Sequence, residues 1–63
     1  MTTAELIRLL KANGCFLYEH GSRHDRWKSP KTGKKFSVGR HAKEEVAKGT
    51  LKRILNDAGI ELA

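Results

Sequence analysis

The sequence has a single cysteine, a single proline and a single tryptophan in 63 residues, and it contains no long apolar run. The lone Cys15 cannot form an internal disulfide, which excludes a disulfide-stapled secreted fold and favours a reducing cytosol. A membrane-spanning helix needs about 20 mostly apolar residues. The first five residues also lack the basic start and apolar centre of a signal peptide. We therefore expect a complete cytoplasmic protein with no membrane contact.

Patterns that bind metals or nucleotides are also missing. The three histidines, His20, His24 and His41, belong to no Cys-x-x-Cys or His-Glu-x-x-His pattern. The acidic residues are scattered, so none is visibly paired for two-metal phosphodiester cleavage. The basic turn at residues 31–35 lacks the spacing of a Walker loop. These absences predict no metal and no cofactor.

The chain is instead rich in positive charge. Thirteen Lys and Arg against seven Asp and Glu give a formal net charge of +6. Such an excess on a small body attracts polyanions, although a basic domain without a nucleic-acid partner has the same composition. A chain of this length forms one domain, residues 1–63, with a small core and a shallow functional site.

Two amphipathic helices are predicted at the two ends of the chain. Thr2 and Glu5 have the spacing of a capping box at the start of the first helix, and Gly14 suits its left-handed end. The second helix is predicted to start near residues 49–50 and to end at Gly59. Apolar residues three and four apart define the buried faces: Leu6, Leu9 and Leu10 in the first helix, and Leu51, Ile54, Leu55 and Ala58 in the second.

Three strands are predicted between the helices. Apolar and aromatic residues in alternation, bounded by turn residues, place them at residues 15–20, 24–29 and 35–38. The polar stretch 39–49 is predicted to hold a short helical turn at residues 44–47. This order predicts an α+β fold, an antiparallel three-stranded sheet with both helices on one face, similar in outline to a double-stranded-RNA-binding domain.

His24 is the residue best suited to chemistry on a phosphate. It follows Gly21, and a glycine-led turn lets a phosphate or another backbone approach closely. Histidine moves protons near neutral pH, and the neighbouring Arg23, Arg26 and Lys28 could stabilise charge in a transition state. From the residues alone, an ordinary surface histidine is the commoner explanation of such a pattern.

The sequence resembles the HicA toxins of bacterial HicA–HicB toxin–antitoxin pairs over nearly its whole length. The family's Gly-Ser-x-His element appears at residues 21–24, followed by a proline-containing turn at residues 29–34. Arg40-His41 then follows the third strand, and the C-terminal signature appears as KGTLKRIL at residues 48–55. Many members have proline where this chain has Gly39, a departure that we expect to loosen the loop without touching the catalytic position.

The resemblance implies a ribonuclease that cleaves mRNA, with His24 as the essential histidine and a HicB-like antitoxin that covers the site. We expect metal-independent cleavage in which the RNA 2′-hydroxyl is the nucleophile and His24 transfers one proton. Tyr18, a lysine or water could transfer the second. His41 is a possible helper, although packing in the loop or binding phosphate is the commoner role for such a residue. The residues expected to bind RNA are Gly21, Ser22, Arg23, Lys28, Lys34, Lys35 and Arg40.

Two other functions stay open at this point. A non-catalytic RNA-binding module would have the same charge and element order. A small DNA-binding domain could use Lys52 and Arg53 of the last helix, although no partner helix joined by a tight turn is apparent. Trp27 and Phe36 could contact the antitoxin, but their size and apolar character favour the core.

Overall fold

A computed structural model describes residues 1–61 and has the predicted element order. The elements are α1 (Thr3–Ala12), β1 (Phe16–His20), β2 (His24–Lys28), β3 (Lys35–Gly39) and α2 (Lys48–Ala58). The strands form one antiparallel sheet in the order β1-β2-β3. This architecture confirms the α+β class and the likeness to a double-stranded-RNA-binding domain. Within the described residues, neither helix is long and apolar enough to cross a membrane.

The predicted helix ends are present. The Thr2 hydroxyl accepts a hydrogen bond from the Glu5 amide, and the Glu5 carboxylate accepts one from the Thr2 amide at 2.9 Å. Hydrogen bonds from the Thr2 amide and the Thr2 hydroxyl to the Glu5 carboxylate lower the pKa of Glu5. At the far end of α2, Gly59 is left-handed with φ of 73°, and the Ile60 amide returns to the Leu55 carbonyl. Such caps satisfy main-chain groups that the last helical turn leaves without partners.

One core joins the sheet to both helices. Trp27 of β2 and Phe36 of β3 are direct cross-strand partners, and each is 6% exposed. They therefore belong to the core, as their character favoured, and are not surface contacts for a partner. Cys15 is also buried, as an apolar packing residue should be. The buried apolar residues are Leu6, Leu10, Cys15, Trp27, Phe36, Val38, Ile54, Leu55, Ala58 and Ile60.

The helical turn predicted at residues 44–47 is wrong. This segment is extended where it passes the start of α1, and Glu45 forms an isolated antiparallel bridge with Thr2. The Thr3 amide donates to the Glu44 carbonyl at 2.9 Å. The first amides of a helix have no acceptor within it. Pairing with α1 therefore outweighs the local preference of residues 44–47.

The β2–β3 turn packs against the end of α2. Its first residue, Ser29, is fully buried and donates a hydrogen bond from its hydroxyl to the Ala58 carbonyl at 2.7 Å. The Thr32 hydroxyl donates to the Asp57 carbonyl in the same way. Because the last carbonyls of a helix lack internal donors, these two hydroxyls both cap α2 and fix the hairpin on the core.

Candidate active site

The chain's excess of positive charge is concentrated in the β2–β3 hairpin and its flanking turns. Residues 21–40 contain seven Lys and Arg and one acidic residue, Asp25. The net charge of this segment is therefore +6, the same as the net charge of the whole chain. The remaining Lys and Arg are balanced by the remaining Asp and Glu. Attraction for a polyanion is therefore strongest at this part of the sheet.

The side of the sheet that faces away from the helices carries three of these cations, Arg26, Lys28 and Lys35. Trp27 and Phe36 point to the core, so their neighbours along each strand point outward. In the strand pairing, His24 lies opposite Gly39 and Lys28 lies opposite Lys35. We call this outward surface the open face. It carries Phe16, Tyr18 and Glu19 of β1, His24, Arg26 and Lys28 of β2, and Lys35, Ser37 and Gly39 of β3.

The β1–β2 turn positions His24 at the start of β2. A side chain at Gly21 would overlap the main-chain carbonyl of His24, so this turn closes only around glycine. Ser22 and Arg23 are exposed at its tip, and the His24 side chain is exposed as well. The turn therefore brings together four of the predicted site residues and leaves the imidazole accessible to a ligand.

Asp25 joins this turn to the end of the third strand. Its carboxylate lies 3.0 Å from His20 Nδ1 and accepts a hydrogen bond from Arg40 Nε at 2.8 Å. A second Arg40 nitrogen donates to the Gly21 carbonyl. Partial burial raises the pKa of Asp25, but the hydrogen bonds from His20 and Arg40 outweigh it and lower the pKa below its ordinary value. This cluster holds the His24 turn against the end of β3.

A bulge in β1 makes the Asp25 cluster possible. The pairing with β2 shifts between Leu17 and Glu19, so that Glu19 lies opposite Arg26 and His20 lies opposite Asp25. Regular pairing would instead place Glu19 against Asp25, which sets two negative charges side by side. Regular alternation along β1, as expected from the sequence, does not predict this cluster. A histidine and an aspartate that flank the β1–β2 turn are the signal that could have shown it.

The structure divides the residues predicted to bind RNA into two groups. Gly21, Ser22, Arg23 and Arg40 surround His24, and the Arg40 side chain is already engaged by Asp25 and Gly21. Lys28, Lys34 and Lys35 lie at the opposite end of the hairpin. Four residues of strand separate His24 from Lys28, which is about 13 Å. The two groups therefore lie at the two ends of the β2–β3 hairpin.

A groove lies between β3 and the segment that follows it. Arg23, His24, His41, Glu44 and Thr50 are among the residues that line it. Tertiary structure thus brings His41 to the same groove as His24. Gly39 also lines the groove and is the strand partner of His24. Gly39 is the position at which this chain differs from many HicA sequences. It was expected to lie away from His24, but it adjoins it.

Among residues 1–61, no three His, Cys, Asp or Glu side chains are grouped to hold a metal ion.

Comparison with known proteins gives one match. A family model described as the HicA toxin of bacterial toxin–antitoxin systems matches residues 3–60. This range covers both helices, the whole sheet and the groove beside His24. No curated protein and no solved structure matches the chain significantly.

Proposed function

The chain belongs to the HicA toxin family of bacterial toxin–antitoxin systems, and we propose that it is an endoribonuclease that cuts mRNA with His24 as its catalytic residue. Family membership makes the protein a toxin and implies an antitoxin partner. One observation carries the proposal of catalysis. The exposed His24 stands at the start of β2, at one end of the segment that holds the whole excess of positive charge.

The proposed reaction uses the RNA's own 2′-hydroxyl as the nucleophile. The 2′-oxygen bonds to the adjacent phosphorus, and the bond from that phosphorus to the 5′-oxygen of the next nucleotide breaks. The products are a 2′,3′-cyclic phosphate and a 5′-hydroxyl. His24 either accepts the proton of the 2′-hydroxyl or donates one to the leaving 5′-oxygen. In this scheme no step needs a metal ion.

A single histidine does not serve both proton transfers at once. His41 lines the same groove as His24, and we assign the second transfer to it. Tyr18 is placed less well, because its ring lies beside Lys35 at the other end of the open face. Arg23 is exposed next to His24 and suited to stabilising the charge on the phosphorane. Arg40 has a different role, since it holds the Gly21 carbonyl.

The antitoxin is proposed to be of the HicB type and to cover this site. Residues 21–40 form the most basic part of the chain, and an acidic partner surface would complement them. Such a partner would compete directly with RNA for His24 and its neighbouring cations. It would also stabilise a toxin whose small core leaves its own stability low.

Cleavage of defined RNA by wild type and by His24→Ala tests the proposal. The assay on naked single-stranded RNA contains a chelator, and a parallel assay on translating mRNA contains none, because ribosomes need Mg²⁺. A second RNA has a 2′-deoxy nucleotide at the cut site. Wild type should cut the first RNA and not the second, and His24→Ala should be slower by roughly 10² to 10⁴-fold, the usual contribution of a general acid or base. Circular dichroism checks that both proteins are folded.

Three outcomes would contradict parts of the proposal. If both proteins bind RNA and neither cuts it in either setting, the chain is a non-catalytic RNA-binding module. If the chelator abolishes cleavage, a metal ion takes part. If the 2′-deoxy RNA is cut as fast as the unmodified RNA, the nucleophile is not the 2′-hydroxyl.

A further inference from the structure

Two aromatic rings lie exposed on the open face of the sheet. Phe16 is 47% exposed and Tyr18 is 48% exposed, whereas Trp27 and Phe36 on the other face are buried. Phe16 lies opposite Lys28 in the strand pairing, and the Tyr18 ring lies under the Lys35 ammonium, 4.1 Å from the ring centre. About half of each of these two residues stays exposed within residues 1–61, so burial in the core does not explain their position.

The groups around these rings indicate what would cover them. Lys28 and Lys35 stand next to Phe16 and Tyr18, and Arg26 follows along β2. The nearby acidic residue, Glu19, lies opposite Arg26 and opposes its charge. Apolar rings bordered by cations are a poor match for an apolar protein surface. They suit a ligand that has flat apolar rings joined by negative charges, which is the chemistry of single-stranded nucleic acid.

We propose that Phe16 and Tyr18 form a stacking site for unpaired bases of single-stranded RNA, whose backbone is neutralised by Lys28 and Lys35. This inference rests on the proposed function, in which RNA is the substrate. Lys28 is four residues from His24 along the same strand, about 13 Å. Bases that flank the cut site would therefore stack on the rings while the cut phosphate lies at His24. Duplex RNA would not engage the site, because its bases are already stacked.

The position of Lys35 fits this site. Its ammonium covers the Tyr18 ring in the ligand-free protein and lowers the pKa of the Tyr18 hydroxyl. Lysine has a flexible four-carbon stem, and both side chains are exposed. Lys35 can therefore leave the ring when a base stacks there and bind the phosphate beside that base. A cation over an exposed ring is a weak interaction, so a stacking base replaces it readily.

Binding measurements separate stacking from charge attraction. We would measure the Kd of a labelled single-stranded RNA of twelve nucleotides, in full-length protein that carries His24→Ala so that the RNA stays intact. Phe16→Leu and Tyr18→Leu should each weaken binding by about 5- to 150-fold, the range found when a stacking aromatic is removed. Tyr18→Phe keeps the ring and should bind normally. Leu17→Ala is the matched control, because Leu17 is also exposed but points to the other face.

The same Kd measurements are repeated with an abasic strand, which has the same phosphates but no bases. It should bind more weakly than RNA and should respond to neither Phe16→Leu nor Tyr18→Leu. The stacking site is refuted if both leucine variants bind the twelve-nucleotide RNA as tightly as their parent. If they instead weaken only the complex with the antitoxin, the rings belong to a protein interface.

A different result would contradict the proposed catalysis alone: wild type that binds RNA but does not cut it. A wild type that binds no RNA refutes both.

Discussion

Gly21 lies directly against the main-chain carbonyl of His24, and its own carbonyl accepts a hydrogen bond from Arg40. The contact leaves no room for a side chain at position 21, and the atom it would meet belongs to the backbone. A flexible side chain could move aside, but this carbonyl cannot move without displacing the start of β2. The position of His24 therefore depends on a contact that only glycine permits.

Gly21→Ala should consequently disturb both stability and cleavage. The added methyl group forces the turn open, which we expect to cost roughly 1–3 kcal/mol in the free energy of unfolding. The matched control is Gly49→Ala in α2, where an added Cβ meets nothing within 4 Å. Urea denaturation and RNA cleavage would measure the two variants. Equal stability and equal activity for both would show that the turn tolerates a side chain.

Asp25→Asn should lower stability in a manner that depends on pH. Hydrogen bonds from His20 and Arg40 lower the pKa of Asp25 in the folded protein. The ionised carboxylate therefore stabilises the fold above the ordinary pKa of about 3.9, and this contribution disappears as the pH falls through the lower folded value. The variant should melt below wild type at pH 7, and the gap should narrow toward pH 3.

A control for Asp25→Asn is the same substitution at Asp57. The Asp57 carboxylate forms none of the ion pairs found within residues 1–61. Thermal melting at pH 7, 5 and 3 should show no comparable pH-dependent gap for Asp57→Asn. A constant difference between wild type and Asp25→Asn across this range would mean that the carboxylate charge does not support the turn.

Lys28 on the open face and Lys34 in the adjoining β2–β3 turn should control how RNA binding depends on salt. In the His24→Ala background, Lys28→Ala and Lys34→Ala should each reduce the slope of log K against log salt by about 0.7, the value for one phosphate contact with a single strand. Lys52→Ala on α2 is the control and should leave the slope unchanged. Equal effects at all three positions would indicate binding to the overall charge and not to this face.

Ser29→Ala should weaken the fold without touching the site. The buried hydroxyl donates to the Ala58 carbonyl, and its loss leaves that carbonyl unsatisfied at a cost of about 1–3 kcal/mol. In a domain of this size, each kcal/mol lowers the melting temperature by about 4–8 °C. Ser37→Ala, at an exposed position of β3, should melt within about a degree of wild type. Identical melting of the two variants would show that Ser29 does not secure the hairpin.

Most of the secondary structure could be predicted because its causes are local. The Thr2–Glu5 capping box and the glycines after each helix act within a few residues, and the alternation in β2 and β3 assigns Trp27 and Phe36 to the core. The prediction of a helical turn at residues 44–47 was wrong because the structure of this segment depends on its contacts with α1. Glu45 pairs with Thr2, and the Glu44 carbonyl accepts a hydrogen bond from the Thr3 amide, which has no acceptor within its own helix.

The element order, the two faces of the sheet and the concentration of charge in residues 21–40 can be predicted from the chain alone, since periodicity and composition are properties of the chain. Which groups meet depends on how the chain packs. The bulge at Tyr18 sets His20 against Asp25, Arg40 closes the His24 turn, and the segment after β3 brings His41 to the groove. These relationships join residues on different strands and loops. Their distances depend on register and packing, which no local pattern specifies.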